Sequence, residues 1–261
     1  MINVAIASMG GGMGKSTTAS NLAQNVAMLG LRVLLVDADA QGQAGLFLGL
    51  EPEPKLHTWL AGNLLGFKTP LSDIVAPSGR LFLDVILGNR LTEMTDRMLA
   101  NIDDNRGKQD WLKTQIRLDV EFFSQYDVVV WDTAPSGRLL SLVLDVADLV
   151  IIPVTADRKG QAALSATLIK IPVSADRIIL PNRISIKQKV DRAVLDEWID
   201  LYGKYLFYTN AGFTGVPERA AIQQAQALGK TLVECPGDND ATGVFRALAR
   251  QVVDFAFTEV V

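Results

Sequence analysis

Near the start of the chain, Ser8-Met9-Gly10-Gly11-Gly12-Met13-Gly14-Lys15-Ser16-Thr17 combines the residue types that hold a phosphate. Glycines let the backbone turn tightly so that successive N–H groups point at an anion, and the positive end of a following helix adds to the attraction. Gly11, Gly12, Met13 and Gly14 would form the cradle, with Lys15 along the β/γ-phosphates and the Ser16 hydroxyl on Mg²⁺. A strict Walker pattern wants glycine where this chain has Met9, so the bare pattern fails at one position. The context supports the reading, because an apolar run, Val4 to Ala7, precedes the loop and a helix-like segment begins near Lys15. A chance glycine cluster in a surface turn is the alternative, and it does not account for those flanks.

Carboxylates form the second set. One apolar run ends in Asp37-Ala38-Asp39-Ala40-Gln41-Gly42, and another in Asp132-Thr133-Ala134-Pro135-Ser136-Gly137. Such acids can hold a hydrated Mg²⁺ together with phosphate oxygens, or orient an attacking water. A lone aspartate is usually a cap or turn former. Three at strand ends beside a phosphate loop ask for more.

The elements that must position these groups alternate. Strands are predicted at Asn3 to Ser8, Arg32 to Asp37, Leu81 to Leu87, Tyr126 to Asp132, Asp148 to Val154, Arg177 to Leu180 and Leu206 to Tyr208. Helices are predicted at Ser16 to Leu29, over 91 to about 124 with a break at Asn105-Arg106-Gly107, at Arg138 to Val146, and near 187–203, 217–228 and 241–257. Residues 38 to 80, interrupted by Pro52, Pro54, Pro70 and Pro77, read as loops and short helices. Alternation of this kind implies an α/β, doubly wound, mostly parallel sheet with helices on both faces, and ligands at the carboxyl ends of its strands. At 261 residues the chain is expected to form a single domain over 1–261.

Composition narrows the class. With 49% hydrophobic and 21% charged residues the chain is ordinary for a soluble globular protein, and a net charge of -4 gives no global pull toward nucleic acid. Cys235 is the one cysteine, which rules out an internal disulfide or a Cys-pair metal site within one chain. No secretory signal follows Met1, and the apolar stretch Leu139 to Val154 is interrupted by Asp145 and Asp148, so a cytoplasmic location is expected.

The segments GGMGKSTT, VDADAQGQAG and VVVWDTAPSG, followed by DLVIIPV, resemble the ParA/MinD family of deviant-Walker P-loop ATPases in order and spacing, over most of the chain. The resemblance implies ATP and Mg²⁺ as cofactors and slow ATP hydrolysis in a homodimer that sandwiches the nucleotide. Lys15, Ser16 and Thr17 would bind triphosphate and Mg²⁺, Asp39 would polarise the attacking water, and Asp132 would lie in the outer shell of the metal. Asn182 and Pro217 would contact adenine, although Asn182 also reads as a plain turn residue. One position departs from the family. The signature lysine that reaches across the dimer is Gly10 here, which removes a charge-assisted contact. Lys159 in Ala156-Asp157-Arg158-Lys159-Gly160 could supply it, as could Arg138, and a solvated surface charge is the alternative for both. A loop lacking that lysine looks like the branch that distributes carboxysomes over the nucleoid, the McdA type, with plasmid or chromosome partition ATPases and a MinD-like membrane-cycling regulator as the alternatives.

That resemblance further implies non-specific DNA binding and a small cargo adaptor, McdB- or ParB-like, that stimulates hydrolysis. Arg183, Lys187, Lys189 and Arg192 could neutralise DNA phosphates when doubled in a dimer, or form a solvated helix face. Arg219, Arg246 and Arg250 are weaker additions. In the last helix Val244, Phe245, Leu248, Val252 and Phe255 share one face; with Arg246 and Arg250 offset by acids, packing on the sheet is expected rather than stable membrane binding. His57 and the tryptophans Trp59, Trp111, Trp131 and Trp198 suggest no chemistry.

Overall fold

The structure is a computed structural model that describes residues 1–101, 110–184, 189–209, 212–213, 215–237 and 239–258. Its strands are β1 (Ile2–Ile6), β2 (Val33–Ala38), β3 (Val75–Arg80), β4 (Leu83–Ile86), β5 (Val128–Thr133), β6 (Leu149–Thr155), β7 (Asp176–Ile184), β8 (Tyr208–Thr209), β9 (Gly212–Phe213) and β10 (Val216–Pro217). The helices are α1 (Lys15–Met28), α2 (Gln43–Leu46), α3 (Lys55–Leu64), α4 (Leu91–Ala100), α5 (Trp111–Leu118), α6 (Val120–Phe123), α7 (Arg138–Val146), α8 (Arg158–Lys170), α9 (Lys189–Tyr202), α10 (Ala220–Ala227) and α11 (Asp240–Thr258).

Eight strands form one sheet in the order β10-β7-β6-β1-β5-β2-β4-β3, parallel except for the antiparallel β3–β4 pair. β1 lies between β5 and β6, with Ile6 opposite Asp132 on one side and Ile151 on the other. Asp37 of β2 stands in register with Asp132 of β5, so the strand-end acids converge beside the loop that leaves β1.

Side chains alternate across each strand and both faces are covered. Val4, Ile6, Leu35, Val130 and Ile151 pack with Leu22 and Val26 of α1 and with Phe245, Leu248 and Val252 of α11. Ala5, Val36, Trp131, Val150 and Ile152 point the other way, into Trp59 of α3, Leu140 of α7, Leu164 of α8 and Trp198 of α9. The apolar stripe of the last helix is thus spent on α1 and the sheet. No described helix is long and apolar enough to cross a membrane.

Two departures from the sequence reading matter. Residues 75–80 are an edge strand rather than loop, because Pro77 sits in an antiparallel edge pair, where a missing N–H is tolerated. The segment after β6, unassigned from sequence, is the thirteen-residue helix α8. Leu206 makes only an isolated bridge to Ile179, and Tyr208 belongs to the short β8–β9 ribbon. The break expected at Asn105-Arg106-Gly107 lies outside the described residues.

Candidate functional site

The loop between β1 and α1 is shaped by its glycines and held by distant side chains. Gly14 caps α1 at φ 92, and a Cβ there would stand 2.0 Å from the Asn182 amide nitrogen, so both conformation and space call for glycine. Gly11 and Gly12 form the exposed crest while Met13 is buried beneath it. Three contacts pin alternate loop residues: the Met9 N–H donates to Thr167 Oγ1 at 2.9 Å, Lys159 Nζ donates to the Gly11 carbonyl at 2.9 Å, and Asn182 Nδ2 donates to the Met13 carbonyl at 2.7 Å. Gly10 lies between them in closed space. A Cβ at that position would meet Met13 Cε at 2.8 Å and Ala163 Cβ at 3.0 Å.

Behind the loop, charge is gathered where water is scarce. Lys15 is only 7% exposed; burial pushes its ammonium pKa down, against the opposing pull of Asp132 and Asp39. Asp132 is fully buried, and neither carboxylate oxygen has a hydrogen-bond partner among the described residues. Burial pushes its pKa well up, and Asp37 adds to the rise. The Ser16 hydroxyl opposes the rise, but its geometry falls short of a hydrogen bond. An orphaned carboxyl beside a serine and a buried lysine is what a hydrated cation with phosphate oxygens would complete. Among the described residues no three His, Cys, Asp or Glu side chains cluster to hold a metal by themselves.

The other two acids are built into the neighbouring turn. Asp37 accepts from the Gly45 N–H at 3.0 Å and the Asp39 N–H at 3.4 Å. Burial, with a smaller contribution from Asp39, pushes its pKa up to about 7 against the Gly45 N–H. Asp39 is half-buried and accepts from the Gln41 N–H at 3.0 Å, which sets its carboxyl at the mouth of the β2 loop.

Asn182 and Pro217 are brought together, since Val216 of edge strand β10 pairs with Asn182 of β7. Beside them a cavity of about 140 Å³, lined in part by Gly14, Thr17, Arg183, Ile222 and Gln226, opens on the N-terminal turn of α1. The Asn182 amide is engaged with Met13 and its Oδ1 accepts from the Arg183 N–H at 2.9 Å. Thr17 Oγ1 accepts from Gln226 Nε2 at 2.7 Å, a contact that sequence reasoning missed. A larger cavity of about 310 Å³ lies beyond Asp39, between Ala38, Asp96, Arg97 and Ser136.

Lys159 therefore reaches the phosphate loop, from the first turn of α8, whose cap is Asp157. Arg138 is the first residue of α7, partly buried. Of the cationic run only Arg183 has a described side chain; those of Lys187, Lys189 and Arg192 lie outside the described residues. Arg219 is paired with Asp240. Thr167 was not singled out from sequence; its spacing from Lys159 by two helical repeats of four is the signal that α8, once assigned, would have exposed.

The AAA domain family matches residues 1–181. The chromosome-partitioning ATPase Soj of Thermus thermophilus is 29% identical over 254 residues, covering 96% of this chain and 94% of that protein. Among solved structures, apo McdA of Cyanothece superposes with a TM-score of 0.81 at 22% identity, covering 97% of this chain and 99% of that one. Cobyrinic acid a,c-diamide synthase of Mycobacterium smegmatis, with bound ADP and magnesium, superposes at a TM-score of 0.75 and 22% identity over 97% of this chain and 94% of its own. These two likenesses are of fold.

Proposed function

The chain belongs to the AAA domain family, within its ParA/MinD group of P-loop ATPases, and from that premise we propose a nucleotide-driven switch. In this reading residues 1–261 are one ATPase domain that dimerises around ATP and Mg²⁺ in the cytoplasm. The ATP-bound dimer grips nucleoid DNA without sequence choice and positions a cargo, carboxysomes in the favoured form. A small McdB- or ParB-like adaptor stimulates hydrolysis and release.

The observation that carries this reading is Lys159 Nζ at 2.9 Å from the Gly11 carbonyl, next to the position where the family's signature lysine is Gly10. A cation so placed can swing from a carbonyl it holds to a phosphate across a dimer. Lys15 holds charge on the β/γ-phosphates, and the loop N–H groups with Asn182 and the Pro217 strand seat the nucleotide. Ser16 and Asp132, with Asp39 nearby, are the residues that fit Mg²⁺. Mg²⁺ in such a site neutralises charge on phosphate oxygens. Asp39, at the loop mouth, positions the water that attacks the γ-phosphate.

Binding of non-specific DNA by the wild type and Lys159→Ala, with ADP and with ATP across a salt series, tests the proposal. ATP-dependent binding that weakens steeply with salt and is lost in the variant is expected. Binding with neither nucleotide would sink the DNA switch, and persistence in the variant would take Lys159 out of it. A second reading, chromosome or plasmid partition by the same switch, is favoured by the end-to-end match to Soj; stimulation of ATP turnover by a ParB-like rather than an McdB-like adaptor would select it. A MinD-like membrane cycle would need the apolar face of α11, where Phe245, Leu248 and Val252 are buried.

A further inference from the structure

Helix α8 meets the phosphate loop in a fixed register. Lys159 and Thr167, two turns apart on one helix face, bond Gly11 and Met9, and Ala163 between them stands where a Cβ on Gly10 would meet it, so the two segments run antiparallel here. Only one of the three contacts involves charge. Thr167 is 1% exposed and its hydroxyl is used in both directions: it donates to the Ala163 carbonyl at 2.6 Å and accepts from the Met9 N–H at 2.9 Å. With its donor spent on its own helix, the lone pairs are aimed at Met9.

We propose that Thr167 is a positioning residue for the phosphate loop, and that through it α8 sets the loop in its ligand-binding shape before a phosphate arrives. The proposal rests on the reading of this loop as a phosphate cradle. A loop this rich in glycine loses much chain entropy when it orders, so a ligand that must also order it binds more weakly than one that finds it formed. Thr167 fixes the upstream end, where the strict pattern would have glycine and the chain has Met9. Asn182 fixes the downstream end at Met13. A Cβ on Gly10 would crowd Met13 first and Ala163 of the helix next, so the position of the absent signature lysine and the helix contact share one confined space.

Titration of the full chain with a fluorescent ATP analogue and Mg²⁺ decides it, using the wild type, Thr167→Val and Thr167→Ser. Valine keeps the shape and removes the hydroxyl; serine keeps the hydroxyl. Expected is a weakening of about tenfold in Thr167→Val, with Thr167→Ser within about twofold of wild type. Binding by Thr167→Val equal to wild type, or by Thr167→Ser as weak as Thr167→Val, overturns the proposal. Should the valine variant not fold, hydrogen exchange at the Met9 amide of the nucleotide-free wild type replaces it, with protection expected and exchange at the rate of an unstructured amide overturning it. A wild type that binds no ATP analogue removes the cradle reading and the proposal with it. A wild type that binds, alongside a valine variant that binds equally well, removes the proposal alone.

Discussion

Gly10 shows how one residue's space can decide which chemistry is open to a site. Met13 and Ala163 close around it, so a side chain there must displace packed atoms. We expect Gly10→Lys, which restores the family's signature residue, to cost about 1–3 kcal/mol by overpacking and not to rescue Lys159→Ala. The melting temperature should fall by several degrees, by about 2–4 °C for each kcal/mol; an unchanged melting temperature with recovered DNA binding would contradict this. Asp39 makes a separate prediction, because among the described residues its carboxylate bonds within its own turn, to the Gln41 N–H. Asp39→Ala should retain affinity for Mg-ATP while turnover falls at least about a hundredfold, read as a split between binding and steady-state rate. Lys15, Ser16, Asp39 and Asp132 were legible in the sequence as candidates, because each sits in a short run whose order would carry the chemistry. Thr167 and Gln226 were not, since a threonine and a glutamine on helices acquire meaning only from what the fold sets against them.

One helix here is held at its end by a residue of another helix. The N-terminus of α7, reached from the Asp132 strand through Ala134 to Gly137, is capped by Asp96 of α4, which accepts from the Leu139 N–H at 2.6 Å. Asp96→Ala should lower stability by about 1 kcal/mol, with Asp96→Asn retaining most of it, in chemical denaturation; equal loss in both variants would assign the effect to charge instead. Such cross-element caps leave no mark in local sequence, where the expected cap is a residue just before the helix. α8 went unread for a related reason: its first turn carries Gly160, and while Leu164 joins the core, another of its faces meets a loop. β3 was hidden by Pro77, which argues against a central strand but not against an edge. By contrast β2, β5 and β6 were plain, because strands buried on both faces are continuous apolar runs.

At the scale of the whole molecule, Arg80 joins segments distant in the chain. Its guanidinium donates to the Leu48 carbonyl at 2.8 Å, to the Gly229 carbonyl at 3.2 Å and to both oxygens of Glu234 at 3.0 Å. Burial alone would raise the Glu234 pKa, but hydrogen bonds from Arg80 and Thr231 outweigh it and hold the carboxyl below its ordinary value of 4.5. A depressed acid stabilises the fold fully above its unfolded pKa and loses that contribution as pH falls through the lowered folded value. Glu234→Gln should therefore melt below wild type at pH 7, and the gap should close as the pH drops below 4.5; a gap that stays constant with pH would assign the loss to packing.

The place of β1 in the sheet has a consequence for synthesis. Its neighbours are β5 and β6, so Ile2 has no partner until Val128 exists, and Val4 lacks its second until Leu149. A ribosome adds about 5–20 residues per second, which leaves the first strand and its phosphate loop without a sheet for on the order of ten seconds. Throughout that interval an apolar strand waits unpaired, and a chain ending at residue 120 should show no cooperative unfolding transition. β1 is made long before its partners and becomes structure only with them, and until β5 emerges from the ribosome it depends on whatever shields it from other chains.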